Sequence, residues 1–201
     1  MAVLTLALFQ NDTVPCNPEA QLEALDAALA EAARAGADLL ITPELFLCGY
    51  NIGDQVQQVA EPQDGKSLRR AAELSSRHGV NCLIAYAERG GQGVYNSACL
   101  MSADGSVPVN FRKLHLSGRY EQAQFTPGNH IVTAKVNGIT VAPLICYDVE
   151  IPEAVRAAAR AGAALVMVPT ALREQYSHLT GTMIPTRAFE NGVYVAYVNH
   201  A

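Results

Sequence analysis

One pattern occurs twice in this chain, and it constrains the fold class more than any other feature. Ala32-Ala-Arg-Ala-Gly-Ala-Asp-Leu-Leu-Ile-Thr-Pro-Glu44 is matched position by position by Ala158-Ala-Arg-Ala-Gly-Ala-Ala-Leu-Val-Met-Val-Pro-Thr170. Each copy reads as a helix end, a glycine that closes it, a short apolar strand and a proline that stops the strand. The preceding strands correspond too: 3–10 ends at Gln10 and 139–146 ends at Cys146. Two strand–helix–strand units imply an α/β chain with a pseudo-symmetric sheet assembly. Convergence on good helix-to-strand loop chemistry, which alone favours Gly after a helix, accounts for the match equally well. On either reading, Glu44 and Cys146 lie at strand C-termini, the edge that carries ligands in open α/β sheets.

The rest of the chain keeps the alternation. Residues 3–9 read as a buried strand. Asn17-Pro18 opens a helix over 18–35 with Leu22, Leu25, Leu29 and Ala33 on one face. A helix over 66–78 ends at Gly79, and strands follow at 80–87, 94–102 and 107–113, separated by glycine-containing turns. Asn137-Gly138 turns a hairpin between 130–136 and 139–146. A helix over 152–161, a strand at 163–168, a helix near 180–191 and a strand at 193–199 complete one domain over 1–201.

Half of the residues are hydrophobic and 16% are charged, which excludes a disordered chain. No run of Lys and Arg exceeds two residues and the net charge is −5, so no nucleic-acid partner is expected. No apolar stretch approaches the roughly 18–20 residues that span a bilayer, and the apolar N-terminus lacks a basic lead. The 5 cysteines are dispersed, with no Cys-x-x-Cys pair and no grouping with His, so a reducing cytoplasmic location and no metal are expected. Cys16, Cys48, Cys82 and Cys99 read as packing residues.

Cys146 ends an apolar run and precedes a helix, near backbone N–H groups that favour a thiolate. A free thiol, with pKa about 8.5, is mostly protonated at neutral pH, so such a site needs a base and a positive neighbour. Thr42-Pro-Glu44 and Phe111-Arg-Lys113 offer them. Taken alone, each of these residues has a bland alternative: a buried Cys, a solvated turn Glu, an exposed edge Lys.

Taken together, Thr42-Pro-Glu44-Leu-Phe-Leu-Cys-Gly-Tyr50, Phe111-Arg-Lys113-Leu-His-Leu and Leu144-Ile-Cys146-Tyr-Asp-Val-Glu-Ile-Pro-Glu153 resemble the nitrilase superfamily of carbon–nitrogen hydrolases. Phe125-Thr-Pro-Gly128 and Arg187-Ala-Phe-Glu-Asn191 add to the likeness, which runs from residue 3 to 201. The resemblance implies a four-layer α-β-β-α sandwich, no cofactor, and hydrolysis of a non-peptide C–N bond through a cysteine thioester. It implies Cys146 as nucleophile, Glu44 as general base and acid, and Lys113 with the Tyr147 N–H as oxyanion donors. It further implies Glu121 as a supporting carboxylate, and Asp148 and Glu153 as supports of the elbow and an interface. Tyr50, Tyr147, Thr170 and Tyr176 are candidate substrate contacts, and His115 reads as structural.

Ile151 stands where the family commonly has Phe. Phe-Arg-Lys113 replaces the Arg-Arg-Lys of true nitrilases and Trp is absent, which favours an amidase. The expected substrate is a small aliphatic or amino-acid-like amide. A nitrile, an N-carbamoyl amine and an inactive interaction module are the alternatives. Members usually continue beyond the strand that ends here, so the chain is expected to lack C-terminal strands, to expose a sheet edge at 193–199 and to form homo-oligomers.

Overall fold

Two β-sheets stacked face to face form the centre of the computed structural model, which describes residues 3–201. The expected domain begins at residue 1, and Met1 and Ala2 lie outside the described residues. The first sheet runs in chain order: β1 (Leu6–Leu8), β2 (Leu39–Ile41), β3 (Asn81–Gly90), β4 (Gly93–Met101) and β5 (Val109–Arg112). Strands β1 to β3 are parallel, while β3, β4 and β5 are antiparallel. The second sheet also runs in chain order: β6 (Ala134–Val136), β7 (Ile139–Pro143), β8 (Leu165–Pro169) and β9 (Tyr194–Val198). Its first pair is an antiparallel hairpin and the others are parallel.

Alternation along the strands sorts the interior into layers. Leu40, Cys82, Ile84, Tyr86, Cys99 and Met101 face outward onto α1 (Pro18–Arg34) and α3 (Lys66–His78). Leu39, Ile41, Leu83, Ala98 and Leu100 face inward, into one core shared with the second sheet. On the far side, α5 (Pro152–Arg160) and α6 (His178–Asn191) contribute Val155, Ala158 and Ile184 to that same core. The result is the expected α-β-β-α sandwich. Short helices α2 (Val56–Val59) and α4 (Gly118–Gln124) lie outside the main layers.

The duplicated pattern forms β1–α1–β2 and β7–α5–β8. Gly36 and Gly162 both adopt left-handed φ, +70° and +93°. Both loops close with the same bond five residues back, Ala37 N–H to Ala32 O and Ala163 N–H to Ala158 O.

Several expectations change. Residues 3–9 are not a buried strand: β1 is three residues long at the sheet edge, and Val3 and Leu8 are exposed. Ala32, not Ala33, completes the buried face of α1. β7 stops at Pro143, which has no N–H to donate, so Cys146 lies beyond the strand in a 3-10 turn over Cys146–Glu150. Helix α4 was not anticipated, and it carries Glu121 on a helix rather than a loop. Among the described residues β9 pairs only with β8, leaving its other edge open.

Candidate active site

Glu44 follows the proline that stops β2, and the next residue, Leu45, turns the chain with φ +52°. The backbone around it is held from the second half of the molecule. The Glu44 N–H donates to Thr170 O (3.3 Å), and the Glu44 carbonyl accepts from His200 Nε2 (2.8 Å). A carbonyl can only accept, so the His200 proton is on Nε2, and Nδ1 accepts from the Thr13 hydroxyl (3.0 Å). Burial keeps that imidazole below its ordinary pKa, and it stays neutral. The Glu44 carboxylate is fully buried. Its Oε1 accepts from Lys113 Nζ (2.6 Å) and Asn96 Nδ2 (2.8 Å), whereas Oε2 has no partner among the described residues.

Lys113 immediately follows β5. Its N–H donates to Asn96 O (2.8 Å) and its carbonyl accepts from Gly128 N–H (2.7 Å). A side chain at Gly128 would collide with the Arg112 backbone, which explains the glycine after Phe125-Thr-Pro. The buried Lys113 ammonium bridges Glu44 and Glu121 Oε1 (2.7 Å). Burial opposes its charge, but Glu44 and Glu121 raise its pKa, so it is a fixed cation. Glu121 also accepts from the Tyr50 hydroxyl (2.9 Å) and, through Oε2, from the Ser117 N–H (2.7 Å) at the start of α4. Burial and the Glu44 charge raise the Glu121 pKa.

Cys146 occupies a left-handed φ of +44°, a strained conformation for a non-glycine residue. Buried Asp148 fixes this elbow: it accepts from the N–H groups of Ile145 (3.2 Å), Leu114 (3.1 Å) and His115 (2.8 Å) and contacts His115 Nδ1 (2.9 Å). It thereby ties the Cys146 turn to the segment that carries Lys113, and His115 is a structural partner, as read. Arg187 holds the far end of the turn through the carbonyls of Val149 (3.2 Å) and Glu150 (2.9 Å). Among the described residues the Tyr147 N–H has no acceptor.

The backbone N–H groups that favour a thiolate are outweighed at Cys146. Burial, reinforced by the Glu44 charge, pushes the thiol up to about 12; Lys113, the Thr170 hydroxyl and the Ala171 N–H oppose this and are outweighed. The sulfur therefore rests protonated.

A cleft of about 450 Å³ opens over Cys146, lined by Tyr50, Tyr120, Tyr147, Glu150, Leu172 and Tyr176 among others, with Arg119 and Arg173. A larger groove, about 960 Å³, follows α3 and holds none of these groups. Tyr50 and Tyr176 reach the cleft, whereas Thr170 is fully buried behind it and donates to the Tyr197 hydroxyl (3.0 Å). Glu153 lies exposed at the start of α5, away from the cleft. Cys48, Cys82 and Cys99 are core residues, but Cys16 is half-exposed and bonds Gln55 (3.3 Å), so it is not a packing residue. Asn96 and His200 were missed. A polar residue inside the apolar strand Val94-Tyr-Asn-Ser-Ala was the available signal for Asn96; His200 gave none.

Comparison with known proteins finds relatives along almost the whole described chain. The carbon–nitrogen hydrolase family model matches residues 5–201. A Pseudomonas protegens protein named "hydrolase in pqqF 5' region" is 40% identical over 200 residues, covering 98% of this chain and 70% of that protein. An (R)-stereoselective amidase from a Pseudomonas species is 36% identical, covering 81% of this chain; the match spans 58% of that enzyme. The crystal structure of an amidase from Nesterenkonia sp. superposes with a TM-score of 0.92 at 36% identity, over 98% of this chain and 76% of that one. Variants of that amidase have been solved with butyramide bound and with acrylamide added covalently to the active-site cysteine. This chain belongs to the carbon–nitrogen hydrolase family, within the nitrilase superfamily.

Proposed function

We propose that this chain is an amidase that hydrolyses a small aliphatic or amino-acid-like amide through a thioester on Cys146. One observation carries the reading: fully buried Glu44 keeps an unpartnered Oε2 among the described residues, and its carboxylate shares one site with the Lys113 ammonium, Glu121 and the neutral Cys146 thiol. An unpaired buried carboxylate oxygen is costly unless it serves a proton transfer.

The reaction follows from these positions. Glu44 Oε2 takes the thiol proton as the sulfur attacks the amide carbon. Lys113 Nζ and the Tyr147 N–H stabilise the oxyanion, one such donor being worth about 3–4 kcal/mol. Protonated Glu44 then gives its proton to the leaving nitrogen, the C–N bond breaks, and ammonia or an amine departs. Glu44 next takes a proton from water, whose oxygen adds to the thioester. When the C–S bond breaks, that proton returns to the sulfur and the carboxylic acid leaves. Glu121 holds the ammonium between two carboxylates, and Tyr50 holds Glu121. The amide ligands of the Nesterenkonia protein support this assignment. A cytoplasmic location and homo-oligomerisation, through the open β9 edge where Tyr194 is exposed or through helices α5 and α6 where Phe189 is exposed, belong to the same proposal.

The test is a panel of amides, nitriles and N-carbamoyl amines assayed for ammonia release. Release from amides, lost in Cys146→Ala, is expected. Turnover confined to nitriles or carbamoyl amines would replace the amidase reading with one of those, and no turnover in any class would favour an interaction module.

A further inference from the structure

The cleft contains one carboxylate that the reaction does not use. Glu150 ends the 3-10 turn that begins at Cys146, so its side chain emerges about one turn from the nucleophile. It lines the cleft and is half-buried. Among the described residues its carboxylate has no hydrogen-bond or ion-pair partner. The neighbouring cations are engaged or distant. Arg187 is committed to the Glu150 backbone carbonyl and to Glu190, and Lys113 to Glu44 and Glu121. Lys113 and His178 act on Glu150 only through space, and burial still pushes its carboxyl above the ordinary range.

A carboxylate drawn partly out of water gains from a cation placed beside it. Its surroundings suit one: Tyr50, Tyr120, Tyr147 and Tyr176 line the same cleft, and phenol rings attract ammonium groups. Arg119 and Arg173 also border the cleft, but both are exposed and remain hydrated. An exposed charge gains little from pairing, whereas a half-buried one gains more.

We infer that Glu150 selects substrates whose acyl chain carries an ammonium group, placing that group in the cleft while the amide carbonyl lies over Cys146. This inference rests on the amidase reading and names its substrate class.

The experiment measures kcat/KM for ammonia release from three series of matched chain length. These are simple alkyl amides, ω-amino amides from glycinamide to 5-aminovaleramide, and ω-carboxy amides such as succinamate and glutaramate. Wild type should favour at least one ω-amino amide over its neutral counterpart by about tenfold or more. Glu150→Gln should shrink that ratio to within about threefold, and Glu150→Asp should keep part of it. A merely structural role for Glu150 would lower both series equally and leave the ratio alone, so each variant carries its own control against misfolding. Three results would overturn the inference: neutral amides equal or better at every length, a preference that survives Glu150→Gln, or a preference for ω-carboxy amides that Arg173→Gln removes. Turnover of neutral amides without any preference rejects only this inference. Absence of turnover in all three series rejects the amidase reading along with it.

Discussion

The two halves built on the repeated pattern share a backbone and divide the chemistry. In the first half, β1–α1–β2 ends in Glu44; in the second, β7–α5–β8 ends in Thr170, the residue at the equivalent position. These two ends touch, since the Glu44 N–H donates to the Thr170 carbonyl. The strands that open the halves differ in the same way: β1 leads to Gln10, which is exposed, and β7 leads to Cys146, which lies under the cleft. One half supplies a buried carboxylate and the other a buried thiol, and neither half holds a complete site. The lesson is that helix-to-strand geometry can repeat while the residues just beyond the strands are free to diverge. Matching loop bonds alone fit convergence on good loop chemistry. Both units also pair their two strands in parallel, β1 with β2 and β7 with β8, which favours a pseudo-symmetric pair although β1 is an edge strand and β7 is not.

Breaking the comparison is most severe at the chemical ends. Cys146→Ala should abolish amide turnover, and Glu44→Gln and Lys113→Ala should each lower kcat/KM by at least about 100-fold. The equivalent positions should be tolerant. Gln10→Ala should leave the rate unchanged, and Thr170→Val should cost a few-fold in rate and about 1–3 kcal/mol in stability, because the buried Tyr197 hydroxyl loses its partner. Steady-state kinetics and urea melts on the purified variants check all five. A Glu44 variant within a few-fold of wild type would remove the first half from the mechanism.

The pH profile separates a resting thiol from a resting thiolate. Because burial holds Cys146 up to about 12, the protonated thiol, whose proton Glu44 takes during attack, stays almost fully populated from pH 7 to 9. Raising pH from 7 to 9 should therefore not increase kcat/KM in step with an ordinary thiol, which would gain roughly tenfold or more across its pKa near 8.5. A rise with an apparent pKa near 8.5 would mean that thiolate forms before substrate binds.

His200 acts from the second half upon the first. His200→Ala removes the donor to the Glu44 carbonyl, and kcat should fall about tenfold with KM nearly unchanged, since the residue lies outside the cleft lining. His200→Gln, which can restore an N–H donor, should recover part of kcat. Equal losses in kcat and folding stability, without rescue, would make His200 structural only.

How much of this was legible depends on whether a residue's partners are local. Glu44, Lys113 and Cys146 stand in motifs whose order and spacing survive in the linear chain. The alternation of strands and helices was equally plain, because Gly36, Gly79, Pro43 and Asn137-Gly138 act on their immediate neighbours. Asn96 and His200 reach Glu44 from 52 and 156 positions away, and no local pattern announces such pairings. Helix α4 is seven residues long and lacks a sustained apolar period, so it read as a loop. The elevated Cys146 thiol was missed for a related reason: burial, an outcome of the whole fold, outweighs the local N–H groups.

The smallest effect tests the shared frame. Gly36 and Gly162 both hold positive φ with open space around a would-be side chain. Alanine at each should cost about 1–2 kcal/mol, the two within about 0.5 kcal/mol of each other in thermal or urea melts. A large disparity would show that the two loops are alike only in sequence.

The central claim is that the two halves meet in one chemical unit, Glu44 acting on Cys146. A double-mutant cycle in kcat/KM with Glu44→Gln and Cys146→Ser measures this directly. If the carboxylate works through the nucleophile, the double variant is no slower than the slower single variant, within about threefold. If the two losses multiply instead, Glu44 and Cys146 act independently and the account is contradicted.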